Sequence, residues 1–237
     1  LWRAIDEGYA YFEPGQDWRA ARGRWRPRAV AARTREELLA ALEGALAELS
    51  DEHVGLDAHA AGSPRAVPTA TDLWAEWIGE DAVVSAVRAG SVADVAGAVP
   101  GMRVTAVQGV PVDRAVRGLL HRGRQGNARA RDWALRRLLA GPWSGMLAIE
   151  VVSGGRTRRL EIERKDEPDS GTQPLVARRI GENRDLGYLR LKNNLGETGL
   201  VQHFDAALTH LKDTRALILD LRESQAGGSP AIVRALR

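Results

Sequence analysis

Two places in this 237-residue chain hold residue types that could do chemistry: the pair Asp51-x-His53 and the loop around Gly227-Gly228. His53 follows Asp51 at the end of a leucine-rich segment, and its plainest reading is a helix-end imidazole hydrogen-bonded by that carboxylate. Adding Asp57 and His59 makes four metal-type ligands. Their spacing matches no zinc motif, so neither a metal nor any other cofactor is expected. Gly227-Gly228 follows the apolar run ALILDL (216–221). Ligand and catalytic groups of open α/β sheets gather at that end of a strand. A helix-entry turn needing positive φ explains the glycines equally well. Ser224 and Ser229 flank them outside any Gly-x-Ser-x-Gly elbow, so loop solvation and helix capping account for both. His203 and His210, seven apart, share a helix face as surface residues. His121 is expected to end a helix, where its charge suits the dipole. Trp74, Trp77, Trp133 and Trp143 are expected in a core.

The rest of the composition narrows the choices. Cysteine is absent, which removes thiol nucleophiles, disulfides and cysteine-built zinc sites. Of 34 basic residues only Lys165, Lys192 and Lys212 are lysine, and the other 31 are arginine. A lysine base must therefore be one of three. Arginines cluster at 19–35 and 114–137, but 31 acidic residues interleave with the 34 basic ones and no nucleic-acid-reading motif appears, so no nucleic-acid partner is expected. No apolar run approaches the roughly 20 residues of a membrane span.

The elements that must position these residues fall into three regions. Residues 1–72 read as helical: Trp2, Ile5, Tyr9 and Phe12 recur at helical spacing up to Pro14-Gly15. Thr34 and Glu37 then have capping-box spacing before an apolar face of Leu38, Leu39, Leu42, Ala45, Leu46 and Leu49. Residues 73–165 have the texture of short strands and turns. A strand is expected near Val83, Val84 and Val87, a short helix at VADVA after Gly90-Ser91, and two helices at 113–121 and 128–140. MLAIEVV and TRRLEIE flank Ser153-Gly154-Gly155 as a hairpin. Residues 164–175 are a polar linker. Residues 176–237 read as strand (186–191), helix, then a buried parallel strand (216–221).

Three segments in this order resemble the C-terminal-processing (tail-specific) and tricorn-like serine peptidases. GYLRL, a helix with HFDAALTHL and LILDLRESQAGGSPA are similar to the start of that family's protease core, where an Asp-Leu-Arg strand runs into a Gly-Gly loop. VVSAVRAGSVADVAGAVPGMRVTAVQGVPV resembles its PDZ-like module. REELLAALEGALAELSDEHVGL resembles its leading helical segment, with a Leu-x-Asp-x-His signature at Leu49, Asp51 and His53. The resemblance is weakest at residues 1–30 and 55–80. Four residues, not three, separate Arg222 from the glycines, and Gly101-Met102 and Gln108-Gly109 replace Gly-Asp and Asn-Gly.

The resemblance implies an α+β, multi-domain chain: a helical region, a PDZ-like β/α module with a helical insertion, and the first β-α-β part of a ClpP/crotonase-like α/β core. It implies a serine endopeptidase acting on unfolded or C-terminally presented protein substrates, in the periplasm or outside the cell, with a cytoplasmic enzyme as the alternative. On this pattern the backbone N–H of Gly228, with Gly227 beside it, is an oxyanion donor, and His53 is a candidate base. Trp77-Ile78-Gly79 is the segment nearest to a PDZ carboxylate loop. The family's nucleophile lies some fifty residues beyond the Gly-Gly loop, so the chain is expected to stop before it and to be inactive alone. A non-catalytic peptide-binding protein on the same scaffold is the rival reading.

Overall fold

The structure is a computed structural model and describes residues 1–56, 58–67, 71–165, 175–191 and 199–221. It is a mixed helix-and-sheet chain in two compact units, Leu1–Asp166 and Glu167–Arg237.

The first unit opens with three helices: α1 (Trp2–Gly8), α2 (Trp18–Ala31) and α3 (Arg35–Ala47). Helix α1 ends sooner than the apolar spacing suggested, with Tyr9 as its cap in an extended conformation and Phe12 outside it. Asp17 caps α2 by accepting from the Ala20 amide, and Thr34 caps α3 by accepting from Glu37 N–H. The return bond of the capping box goes one residue further back, from Arg33 N–H to Glu37. Helix α3 buries Leu39, Ala41, Ala45 and Leu46, while Leu38 is exposed. These helices share a small core of Trp18, Ala21, Ala45, Leu46 and Leu49. Trp2 and Trp18 exchange indole-to-carbonyl hydrogen bonds at 3.0 and 3.2 Å. Arg24 reaches Glu48 through two bonds of 3.0 Å, and the Trp25 indole adds a third at 2.8 Å.

The same unit then forms a sheet ordered β1-β2-β3-β5-β6, with β4 paired to β3. The strands are β1 (Leu73–Ile78), β2 (Asp81–Val87), β3 (Arg103–Val107), β4 (Val110–Pro111), β5 (Gly145–Ser153) and β6 (Arg156–Arg164). Helix α4 (Val92–Val95) follows β2, and α5 (Val112–Leu119) and α6 (Ala128–Ala140) lie between β4 and β5. Gly154 and Gly155, at φ 56 and 74, make the two-residue turn that closes β5 onto β6. Both positions need the left-handed region, which glycine enters without a Cβ penalty. Leu73, Ala75, Val104, Leu135, Leu139, Leu147, Ile149, Val151 and Ile162 fill the core between sheet and helices. Arg164, at the end of β6, is wholly buried and pairs with Asp72 at the start of β1.

The second unit has strands β7 (Leu175–Ile180), β8 (Leu186–Leu191) and β9 (Ala216–Asp220), with helix α7 (Leu200–Leu211) between the last two. β7 and β8 are antiparallel; β8 and β9 are parallel, Leu186 opposite Ala216 through Arg190 opposite Asp220. Leu189, Leu191, Leu200, Phe204 and Leu211 form its core. The apolar run of β9 is not buried throughout. Ala216–Ile218 are exposed, and among the described residues β9 pairs with β8 alone.

Candidate active site

The turn after α3 builds the Asp51–His53 pair. The Leu49 and Ser50 amides still donate to Leu46 and Ala47. Ser50 then takes φ 49, a left-handed conformation that ends the helix and redirects the chain. Asp51 is thereby turned back on its own backbone. Its Oδ1 accepts from the His53 amide at 2.9 Å and from the His53 ring Nδ1 at 3.0 Å. Its Oδ2 accepts from the Tyr9 hydroxyl at 2.7 Å. Burial opposes ionisation of this carboxyl, but the His53 amide, the Tyr9 hydroxyl and the His53 ring together outweigh it and hold Asp51 below the usual carboxylate range. Tyr9 moves the other way: burial first, then its bond to Asp51 and that residue's charge, push the phenol well above its ordinary value. A carboxylate can only accept, so the ring proton of neutral His53 sits on Nδ1 and the lone pair on Nε2. The His53 side chain is 88% exposed against 15% for Asp51, so the imidazole faces solvent from a half-buried anchor.

A recess of about 700 Å³ adjoins the pair, walled by Tyr9, Tyr11, Glu13, Leu49, Val54 and Arg129. Glu13 forms its polar edge. It accepts from Arg124 at 2.6 Å and from Arg129 at 3.0 Å, and those bonds, that to Arg124 foremost, lower its pKa against the effect of burial. Glu52, between the two dyad residues, accepts from Arg136 of α6 at 3.2 Å, and the Arg136 guanidinium lies over Trp74 of β1 at 4.2 Å.

The other expected site residues fall as follows. Gly227, Gly228, Ser224 and Ser229 lie outside the described residues, as does Asp57. Among the described residues no three histidine, aspartate or glutamate side chains gather as metal ligands. Trp77 and Ile78 are strand residues, paired with Ala82 and Asp81 of β2, and Gly79 with Glu80 makes the hairpin turn. Trp77 and Ile78 thus lie at the end of β1, with Gly79 in the turn that follows. The Trp77 indole donates to the Arg131 carbonyl at 3.4 Å, and its ring lies under the Arg131 guanidinium. Of the four tryptophans expected in a core only Trp133 is buried; Trp74, Trp77 and Trp143 are half-exposed beneath arginines. His121 does not end a helix: it caps the turn at Arg122–Arg124, its Nδ1 accepting from Gly123 N–H. His59 stacks on Trp143 at 4.1 Å, and His203 bonds the Gly199 carbonyl. Asp220, buried at the end of β9, accepts from the Tyr188 hydroxyl at 2.6 Å. Tyr9 and Glu13 are the contributors that the sequence pattern missed; both come from the segment after α1, where helical spacing gave no hint of Asp51.

Residues 1–47 match the family model described as the Tricorn protease C1 domain. The match includes residues 1–30, one of the two stretches where the motif resemblance was thinnest, and supports the resemblance to tricorn-like proteases. No curated protein sequence matches the chain. Similar solved structures include a photosystem II D1 C-terminal processing protease, 22% identical at TM-score 0.41, covering 97% of this chain and 61% of that one. A mutant of CPAF is 15% identical at TM-score 0.49, covering 100% of this chain and 57% of that one. Mature CPAF is 15% identical at TM-score 0.45, with 91% and 51% covered. The chain spans between about half and three-fifths of the length of these proteins.

Proposed function

We propose that this chain is the amino-terminal part of a serine endopeptidase of the tail-specific/tricorn-like kind, with Asp51 and His53 as the base half of its catalytic machinery. The observation that carries the reading is the His53 ring, tied through Nδ1 to a half-buried carboxylate and presenting Nε2 to solvent beside a recess. In acyl transfer, Nε2 removes the proton of a serine hydroxyl as it attacks the peptide carbonyl and then returns it to the leaving amine. Asp51 keeps the ring in that tautomer and offsets the charge of the imidazolium. The amides of Gly227 and Gly228 are the candidate oxyanion donors. The serine itself is expected in residues that follow in a longer protein, so the 237-residue chain should not hydrolyse peptides alone. The same reading carries an exported location, unfolded or C-terminally presented protein as substrate, and no cofactor.

A non-catalytic peptide binder is the second reading. It draws on β1, which among the described residues pairs only with β2 at one edge of the sheet and has α6 packed beside it. A peptide would add there as a further strand, its main chain bonding β1 and its side chains meeting Trp77 and Arg131. Casein hydrolysis separates the two. The longer protein containing this chain should turn casein over and the 237-residue chain should not. Turnover by the 237-residue chain would place the nucleophile within it. Peptide binding by both, with hydrolysis by neither, would favour the binder.

A further inference from the structure

We infer that Tyr9 is a positioning residue for the Asp51–His53 dyad: its hydroxyl fixes the carboxylate so that Oδ1 remains committed to His53 Nδ1. The inference deepens the peptidase reading and rests on it.

A free aspartate side chain rotates about its terminal torsion, which is broad and nearly two-fold. The two bonds from His53 both fall on Oδ1 and leave Oδ2 without a partner from its own turn. Tyr9 supplies that partner from 42 positions earlier in the chain. The Tyr9 ring is itself held in place. It meets Phe12 and Tyr11 edge-to-face at 5.0 and 6.0 Å, and the Tyr9 amide closes the last turn of α1 onto Ile5. The segment that carries it is anchored at two further points. Gln16 donates from its side-chain amide to the Leu49 carbonyl, and Glu13 holds Arg124 of the turn before α6 and Arg129 in the first turn of α6. Residues 9–16 thus form a strap across the dyad turn, bonded to it at Leu49 and Asp51. Among the described residues His53 has no comparable restraint of its own, being exposed apart from its bond to Asp51. Its orientation is only as well defined as the carboxylate's.

Histidine ring nitrogen-15 shifts of the 237-residue chain, recorded well above the ordinary imidazole range, test this directly. They distinguish the protonated ring nitrogen from the bare one, and the His53 signals are those that vanish in His53→Gln. The wild type should carry the neutral-ring proton on Nδ1. In Tyr9→Phe, which keeps the ring and its edge-to-face contacts, the ratio of Nδ1–H to Nε2–H should fall about fivefold, the effect of one lost hydrogen bond. Tyr11→Phe, whose hydroxyl lies on an exposed ring, should leave the ratio unchanged. A wild-type ring already protonated on Nε2 overturns the inference without recourse to any variant. So does a Tyr9→Phe ratio equal to wild type. A shifted ratio in a protein whose longer form hydrolyses nothing upholds the positioning role and removes the peptidase reading. An unchanged ratio in an active enzyme does the reverse.

Discussion

Replacing Asp72 by asparagine should destabilise the first unit more than removing the arginine it pairs with. Asp72 is 10% exposed and faces Arg164, whose side chain is wholly buried. Arg164 also donates to the Leu139 carbonyl, while its Nε has no partner among the described residues. Burial lowers the Arg164 pKa, Asp72 opposes that, and Arg65 and Arg88 lie close enough to lower it further. Asp72 is thus the carboxylate that offsets the buried Arg164 charge, with the Arg65 and Arg88 charges nearby. Asp72→Asn leaves Arg164 buried among like charges, the situation in which breaking a buried pair costs about 3–5 kcal/mol. Arg164→Met instead removes the buried cation and leaves Asp72 near Arg65 and Arg88, so it should cost about 1–2 kcal/mol. Asp72→Asn added to R164M should then cost little more. All seven tryptophans lie within Leu1–Asp166, so tryptophan emission follows this unit alone. Thermal melts read by that emission should drop by about 10 °C for Asp72→Asn and about 4 °C for Arg164→Met. A variant D72N melting within about 2 °C of wild type, or no lower than R164M, would refute the reasoning from charge.

Glu13→Gln should cost about 2–3 kcal/mol near neutral pH, because Arg124, 3% exposed, loses its charged partner. The native pKa of Glu13 is lowered, so the contribution of its charge is full above the ordinary carboxylate value of about 4.3 and fades as pH falls through the native value. Melts across the acid range should show the gap between wild type and variant narrowing at low pH; a gap independent of pH would contradict the ion pair. Gly44→Ala should destabilise although alanine is the better helix former by about 1 kcal/mol, since its Cβ would lie 2.2 Å from the Trp25 ring. Overpacking of about 1–3 kcal/mol outweighs that preference, and a melt at or above wild type would show that Trp25 moves aside freely.

Locally encoded elements were legible in the sequence. Thr34 with Glu37 marked the start of α3, Gly154-Gly155 marked the β5–β6 turn, and the β8–α7–β9 order followed from periodicity. Strand β1 was not, because its outward positions carry Trp74 and Ile78 as well as Glu76, which hides the alternation of the inward Leu73, Ala75 and Trp77. The run ALILDL encodes a parallel strand, but its sequence cannot say which neighbours cover it. The excess of arginine over lysine had no reading in one dimension. In three dimensions, six of the seven tryptophans lie under a guanidinium: Trp2, Trp25, Trp74, Trp77, Trp133 and Trp143. A planar guanidinium stacks on indole in a way an ammonium does not. The Asp51–His53 contact was legible because it spans two residues. Its third member, Tyr9, was not, since helical spacing assigned that ring to an apolar stripe with Trp2 and Ile5.

The proposed base role of His53 is tested most directly by the rate at which a fluorophosphonate phosphonylates the expected nucleophilic serine of the longer protein containing this chain, fluoride leaving as the P–O bond forms. With His53→Gln, which keeps a polar side chain at an exposed position, labelling should slow by about 10²–10⁴-fold while the tryptophan-monitored melt stays at the wild-type temperature. Labelling at the wild-type rate by that variant would contradict the account and assign the base to another residue.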